Sequence, residues 1–199
     1  MDFLKAQTAL NLARSFAGES QARNRYTIFA EQARKETQEY LARIFDETAD
    51  NEKIHAKEFY EMIQKLAGGP VNNIEFDAGY PYPLGNTVQN LQFAADGEQA
   101  EHETVYPEFA RIATEEGFTD AATLWKNIAV VEGLHHNVFI QAKQQLENGS
   151  LYKKSQPTVW RCLNCGHVIS ALEPWAVCPI CHKPTGWVEG DVNKKQLPQ

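Results

Sequence analysis

The stretch TADNEKIHAKEF, residues 48–59, sets Glu52 and His55 three positions apart inside a run that otherwise reads as helix. Spacings of three and four bring side chains onto one helix face. On that face the companions are Thr48, Phe59 and Met62, so an acid and an imidazole point where apolar groups belong. The same pair recurs 80 residues later in VVEGLHHN, as Glu132 and His135. Two other segments offer a lone carboxylate in core phase. One is Glu19 in FAGESQARNRY, aligned with Leu12, Phe16 and Tyr26; the other is Glu98 in AADGEQAEHE, aligned with Leu91 and Ala94. These two lie 79 residues apart. The chain therefore reads as a duplicated helix pair, each half supplying Glu and then Glu-x-x-His.

Apolar spacing of three and four runs through residues 3–34, 38–66, 87–116 and 120–147, which predicts four long helices. The connection ARKETQEY is short. So is EEGFTDAA, with Gly117 as a stop and Thr119 or Asp120 as the next cap, and short links make antiparallel neighbours. The middle connection, AGGPVNNIEFDAGYPYPLGN, is about twenty residues long, enough to cross the bundle as in ferritin-like folds. Pro107 leaves one carbonyl of the third helix without its donor, so a kink is expected there. The expected architecture is mainly α: a ferritin-like four-helix bundle over 1–147, a polar linker over 148–159 and a small metal-binding module over 160–199.

Four buried carboxylates would each cost several kcal/mol to desolvate and would repel one another. Two dications resolve the conflict, with carboxylates bridging and one imidazole on each metal. This is recognised as the known ligand pattern of ferritin-like di-iron carboxylate bundles; spacing alone does not yield it. Oxygen-rich ligation without cysteine suits iron or manganese better than zinc or copper. One Glu-x-x-His on a solvated face arises by chance, but two at duplicated positions with two lone carboxylates do not. Glu101, three residues after Glu98, is either a seventh ligand or an ordinary Glu of an acidic helix. Tyr26 falls seven after Glu19, and Tyr106 eight after Glu98. Both phenols turn inward, as core tyrosines bonded to a carboxylate or as groups that meet a bound oxidant. His102, His136 and His182 read as exposed.

All four cysteines lie between 162 and 181, in CLNCGH and CPICHK, which argues for a local metal site and against a disulfide framework. C-x2-C, twelve residues, then C-x2-C points to a tetrahedral thiolate site without naming the metal. Zinc there would be structural; iron would carry single electrons. Beside a centre that uses two electrons per turnover, iron is the expectation. Trp160, Trp175 and Trp187 would shield the site or simply form the module's small core.

The chain has 199 residues, 43% of them hydrophobic, enough for a packed core. No apolar run approaches the ~18 residues of a membrane span, and the start MDFLKAQTALNLARSFAGES lacks a leader pattern, so a cytoplasmic protein is expected. Residues 1–152 carry 13 basic and 23 acidic side chains, a net of −10; the last 47 carry 6 and 3, a net of +3. An acidic body without basic and aromatic interleaving excludes a nucleic acid partner.

The motifs AGESQARNRY, ETADNEKIHAKEF, GEQAEHETVYPEFARIATEEGF, IAVVEGLHH, CLNCG and CPIC closely resemble the rubrerythrin family over essentially the whole chain. The resemblance implies a ferritin-like domain followed by a rubredoxin-like domain. It also implies a cytosolic non-haem peroxidase in oxidative stress defence, reducing hydrogen peroxide to water with electrons ultimately from NAD(P)H through a reductase or a rubredoxin. By position, the family's di-iron ligands fall on Glu19, Glu52, His55, Glu98, Glu101, Glu132 and His135, and its thiolates on Cys162, Cys165, Cys178 and Cys181. One departure stands out: where a rubredoxin has glycine after its second cysteine pair, this chain has His182.

The alternatives are a ferroxidase or iron-storage protein with a structural zinc ribbon, and a non-catalytic peroxide sensor. From His135 to Glu147 is twelve residues, or roughly 18 Å at about 1.5 Å per residue. A module at that helix end sits far from its own di-iron site unless the linker folds back. A head-to-tail homodimer, with the +3 module of one chain on the −10 bundle of the other, is therefore expected.

Overall fold

The computed structural model describes residues 2–190; Met1 and residues 191–199, the last part of the expected module, lie outside the described residues. Its helices are α1 (Gln7–Lys35), α2 (Glu39–Ala67), α3 (Thr87–Ala100), α4 (Tyr106–Glu116) and α5 (Thr119–Glu147). A π-helical turn, Glu101–Val105, joins α3 to α4, so the two form the third long helix of a four-helix bundle. Pro107 explains the turn. It has no N–H to continue the α-helical ladder, and the ladder widens so that the Tyr106 N–H reaches back to the Glu101 carbonyl. The kink expected at Pro107 is thus an inserted residue, upstream of the proline.

The duplication extends to the helix ends. Glu116, closing α4, accepts the backbone N–H groups of Gln7 at 2.9 Å and Thr8 at 2.8 Å. Its counterpart 80 residues earlier, Glu36, accepts the N–H of Thr87 at 3.1 Å. Each half caps the first helix of the other with a carboxylate, which satisfies orphan donors at the positive end of the helix dipole. The tight turns also correspond: Thr37 has φ 60° and Gly117 has φ 87°. The residue before α5 is Phe118, without a side-chain cap, and not Thr119 or Asp120. Apolar packing takes precedence at this turn, where Phe118 meets the ring of Phe3 at 5.5 Å. Asp120 instead accepts Lys65 at 2.7 Å.

Two aromatic clusters fill the bundle. Tyr26, Phe29, Phe45 and Phe139 lie toward the α1–α2 turn; Tyr106, Phe109, Trp125 and Phe59 lie toward the opposite end. Their members match at offsets of 80, and matched pairs meet at similar distances: Phe29–Phe45 at 5.6 Å and Phe109–Trp125 at 5.6 Å. Phe16 departs from the reading that put it in the core. It is 37% exposed and packs on Tyr60, because its phase falls at the edge of the apolar stripe. The crossover between α2 and α3 lies along α1, which pins it through Arg14 to the Asp77 carbonyl, Gln21 to the Pro81 carbonyl, and the Tyr80 hydroxyl to the Arg14 carbonyl.

After α5 the chain turns back onto the bundle. Leu151 is buried in the first aromatic cluster and the Tyr152 hydroxyl donates to Gln38, so this part of the expected linker is held in place. The module is a three-stranded antiparallel sheet in the order β2-β1-β3, with β1 Thr158–Cys162, β2 Val168–Ala171 and β3 Val188–Glu189. It docks on the α1–α2 turn. Arg43 donates to the Leu163 carbonyl at 3.1 Å, Tyr40 to the Gly190 carbonyl at 3.2 Å, and Gly186 lies against Thr37. No helix among the described residues is long and apolar enough to cross a membrane.

A Cβ on Gly186 would lie 1.8 Å from the Thr37 carbonyl oxygen, backbone that cannot yield without moving the turn. Gly186→Ala is therefore expected to lift the module off the bundle. Limited proteolysis should cut residues 148–157 faster in this variant while the bundle keeps its helix content. An unchanged cleavage rate would contradict the docking.

Candidate metal centres

The helical phase carries Glu19 from α1, Glu52 and His55 from α2, Glu98 from α3, and Glu132 and His135 from α5 into one layer between the aromatic clusters. Two overlapping groups have donor atoms within 4.8 Å of one another: Glu19, Glu52, His55 and Glu132, and Glu52, Glu98, Glu132 and His135. Glu52 and Glu132 belong to both, the placement of bridging carboxylates. His55 Nδ1 lies 2.8 Å from Glu52 and 3.0 Å from Glu132. His135 Nδ1 lies 2.8 Å from Glu132 and 3.1 Å from Glu52. All six residues are buried.

Inward-facing atoms remain unsatisfied: Glu19 Oε2, Glu52 Oε1, Glu98 Oε2, both carboxylate oxygens of Glu132, and His135 Nδ1 have no hydrogen-bond partner. Some lie close to the opposing nitrogens without hydrogen-bond geometry. Buried polar atoms of a folded protein are almost always paired, and this many bare oxygens and an imidazole nitrogen in one layer fit two dications. Without metal the layer holds protons instead. Burial, then the charge of Glu52, pushes the Glu98 carboxyl up to about 8. Burial and the charges of Glu132, Glu52 and Glu101 push Glu19 well above the usual range. Burial opposes charge on His55, but the facing carboxylates of Glu132 and Glu52 prevail and raise it to about 10. Burial likewise opposes charge on Glu52, yet the facing His135 and the bond with His55 hold it at about 2.

Tyr26 donates to Glu98 and Tyr106 to Glu19, each phenol holding the lone carboxylate of the other half. Glu101 stands outside both four-residue groups, with its carboxylate 3.4 Å from the Tyr106 hydroxyl, and burial followed by the charge of Glu98 pushes it well above the usual range. It faces a cavity of about 420 Å³ whose wall includes Gly18, Arg25, Tyr80 and Tyr106. His102 and His136, read as exposed, are half-buried. They donate reciprocally between helices, His102 to the Ala129 carbonyl at 2.6 Å and His136 to the Ala95 carbonyl at 2.9 Å. His182 is exposed. The sequence reading also missed Asn51, whose Oδ1 lies 3.2 Å from His135 Nε2; its place one residue before Glu52 was the available signal.

In the module the Sγ atoms of Cys162 and Cys181 lie 3.5 Å apart and those of Cys165 and Cys178 3.6 Å apart, with all four within 4.8 Å. A disulfide needs about 2.05 Å. Tetrahedral thiolates at about 2.3 Å from a metal stand about 3.8 Å apart, so the group fits one metal ion. Gly166, at φ 76°, and His182, at φ 59°, follow the two cysteine pairs in matching left-handed turns. Asn164, with the backbone of Lys183, holds the Cys181 thiol down to about 6. Trp160 is fully buried, whereas Trp175 and Trp187 are half-buried, so only Trp160 serves as core.

The rubrerythrin family profile matches residues 11–143. The chain is 43% identical to the rubrerythrin of Clostridium perfringens over 92% of its own length and 93% of that protein's. It is 40% identical to the rubrerythrin of Porphyromonas gingivalis over 92% and 90%. Among solved structures it is similar to a partially reduced nigerythrin, with TM-score 0.62 and 26% identity over 96% of this chain and 94% of that one. The bundle layer is accordingly a di-iron ferritin-like site with Glu and His ligand groups, and the four cysteines fit a rubredoxin-like iron site.

The protonation of the layer fixes how stability responds to pH. In the metal-free protein, folded Glu98 at about 8 and His55 at about 10 keep protons that the unfolded chain has lost above its ordinary values. Their contribution is complete at low pH and is lost as pH rises through those values. Glu52, held at about 2, loses its contribution only in stronger acid. Metals replace the protons and reverse the sign. Thermal unfolding between about pH 5.5 and about pH 9 should show the metal-free protein losing stability with rising pH and the loaded protein gaining it. Parallel profiles would contradict a layer shared between protons and metals.

Proposed function

The chain belongs to the rubrerythrin family of di-iron oxidoreductases, and from that membership we propose that it is a peroxidase reducing hydrogen peroxide to water. The observation that supports this over iron storage is one chain carrying both a carboxylate and imidazole layer and a four-cysteine module docked on the same bundle. When bound, iron in the two sites supplies the two-electron cleavage of the peroxide O–O bond to two waters and its refilling by single electrons.

The chain's own residues supply position, dryness and protons. Glu19, Glu52, His55, Glu98, Glu132 and His135 would hold the iron pair, with Glu101 beside it. Tyr26 and Tyr106 fix the lone carboxylates, and the two aromatic clusters keep water from the layer. The cavity beside Glu101 is the route by which peroxide reaches the site. The Tyr106 hydroxyl, near both Glu19 and Glu101, holds a proton at the inner end of that route. Cys162, Cys165, Cys178 and Cys181 would hold the module's iron, reached by a reductase or rubredoxin supplied from NAD(P)H in the cytoplasm.

The module's dock is twelve residues from the layer along α2, Tyr40 to Glu52, or roughly 18 Å at about 1.5 Å per residue. A head-to-tail homodimer shortens that path. An open groove over α1 and α2, with exposed Phe16, Ile54 and Tyr60, includes Ile54 and Ala56 on either side of His55 in the chain, while the module exposes Val168, Val177 and Ile180. Arg23, Lys53 and Lys57 also line the groove, so apolar contact rather than the +3 and −10 charge difference would seat the partner there.

Cys162→Ser should lose donor-driven turnover yet keep one stoichiometric oxidation of the chemically reduced bundle by peroxide. Glu98→Ala should lose both. Mixed under conditions that exchange subunits, the two variants should regain turnover, because the heterodimer places one intact module against one intact bundle. Unimpaired turnover in Cys162→Ser would remove the electron-port role. Exchange verified by mass spectrometry without recovery would place transfer within one chain.

A further inference from the structure

The correspondence between the halves also fails in the support of the two imidazoles. Both ring nitrogens of His135 face polar groups. Nδ1 faces the carboxylates of Glu132, Glu52 and Glu98, the last at 3.5 Å, while Nε2 lies 3.2 Å from Asn51 Oδ1. An amide oxygen only accepts, so this contact requires hydrogen on Nε2 and leaves the Nδ1 lone pair for a metal. The residue 80 positions after Asn51 is Val131, which has no polar group to offer. His55 is held through Nδ1 by Glu52 and Glu132, and no partner for its Nε2 exists among the described residues. Asn51 and Val131 both line a small cavity of about 130 Å³ between α2 and α5, beside His135.

We infer that Asn51 is a positioning residue that fixes His135 as the Nε2–H tautomer, and that Val131 withholds this support from His55, making the two metal positions unequal in affinity. A partner on the far nitrogen orients a ligating imidazole and raises its basicity, and losing one typically weakens metal binding by roughly 10- to 100-fold. The two positions share Glu52 and Glu132 and each adds one lone carboxylate and one imidazole; beside the unpaired Glu101, the outer partner of the imidazole is the difference that the duplication leaves between them. Asn51 is solvent-exposed, and water could take its place in a truncated variant. A bulky apolar substitution is therefore the informative one.

The test uses zinc as a diamagnetic probe on the full chain, with the cysteine site already filled, and reads metal affinity and the imidazole N–H signals by NMR without any turnover. The wild type should bind two zinc ions in the bundle with separable affinities and show a protected His135 Nε2–H. Asn51→Leu should weaken the tighter step by roughly 10- to 100-fold and abolish that protection. Asn51→Asp, which keeps an acceptor, should retain both, and Val131→Asn should strengthen the weaker step. Equal affinities in the wild type, unchanged affinities and N–H protection in Asn51→Leu, or no effect of Val131→Asn would each overturn the inference. These readouts stand whether or not the protein proves to be a peroxidase.

Discussion

Four carboxylates and two imidazoles occupy the middle of a helix bundle, and the rest of the architecture follows from keeping them there. An isolated buried ion carries a penalty of several kcal/mol, comparable to what burying one or two large apolar side chains contributes at about 1.5–3 kcal/mol each. Aromatic clusters on both sides can hold the layer in place but cannot neutralise it. In the metal-free chain protons do so, raising Glu19, Glu98 and both imidazoles while Glu52 stays ionised between the two rings. Metal ions do the same while drawing on the bare oxygens and nitrogen that protons leave without partners.

Duplication supplies this layer economically, since one helix pair carries a carboxylate, a Glu-x-x-His, a tyrosine and an end-capping glutamate, and its copy carries them again. The departures from symmetry are where the halves acquire separate tasks. The π turn adds Glu101 on one side only and aims it at the cavity. Asn51 supports one imidazole and Val131 leaves the other alone. Thr37, the counterpart of Gly117, turns its carbonyl toward Gly186 and so seats the cysteine module at one end of the bundle.

Much of this was legible in the sequence because helical phase is local. The offsets of 79 and 80 located the layer, and the tyrosine spacing of seven in one half and eight in the other already contained the inserted residue of the π turn, although Pro107 alone reads as a kink. Where phase is marginal the reading failed, as at Phe16, which lies on the stripe's edge and turns outward. Reciprocal capping by Glu36 and Glu116, the bonds of His102 and His136 to carbonyls, and the contact of Gly186 with Thr37 join residues far apart in the chain. Their geometry exists only after the helices have packed, so no window of sequence contains it.

The layer and the cysteine group are iron sites of two different kinds within one chain. Metal analysis with Mössbauer spectroscopy on anaerobically purified protein tests this assignment most directly. Two irons per chain should show oxygen and nitrogen ligation and one a tetrahedral sulfur environment, and one equivalent of peroxide should draw two electrons from the three irons of the reduced protein. Zinc in the cysteine site, or a bundle that holds no more than one iron, would contradict it.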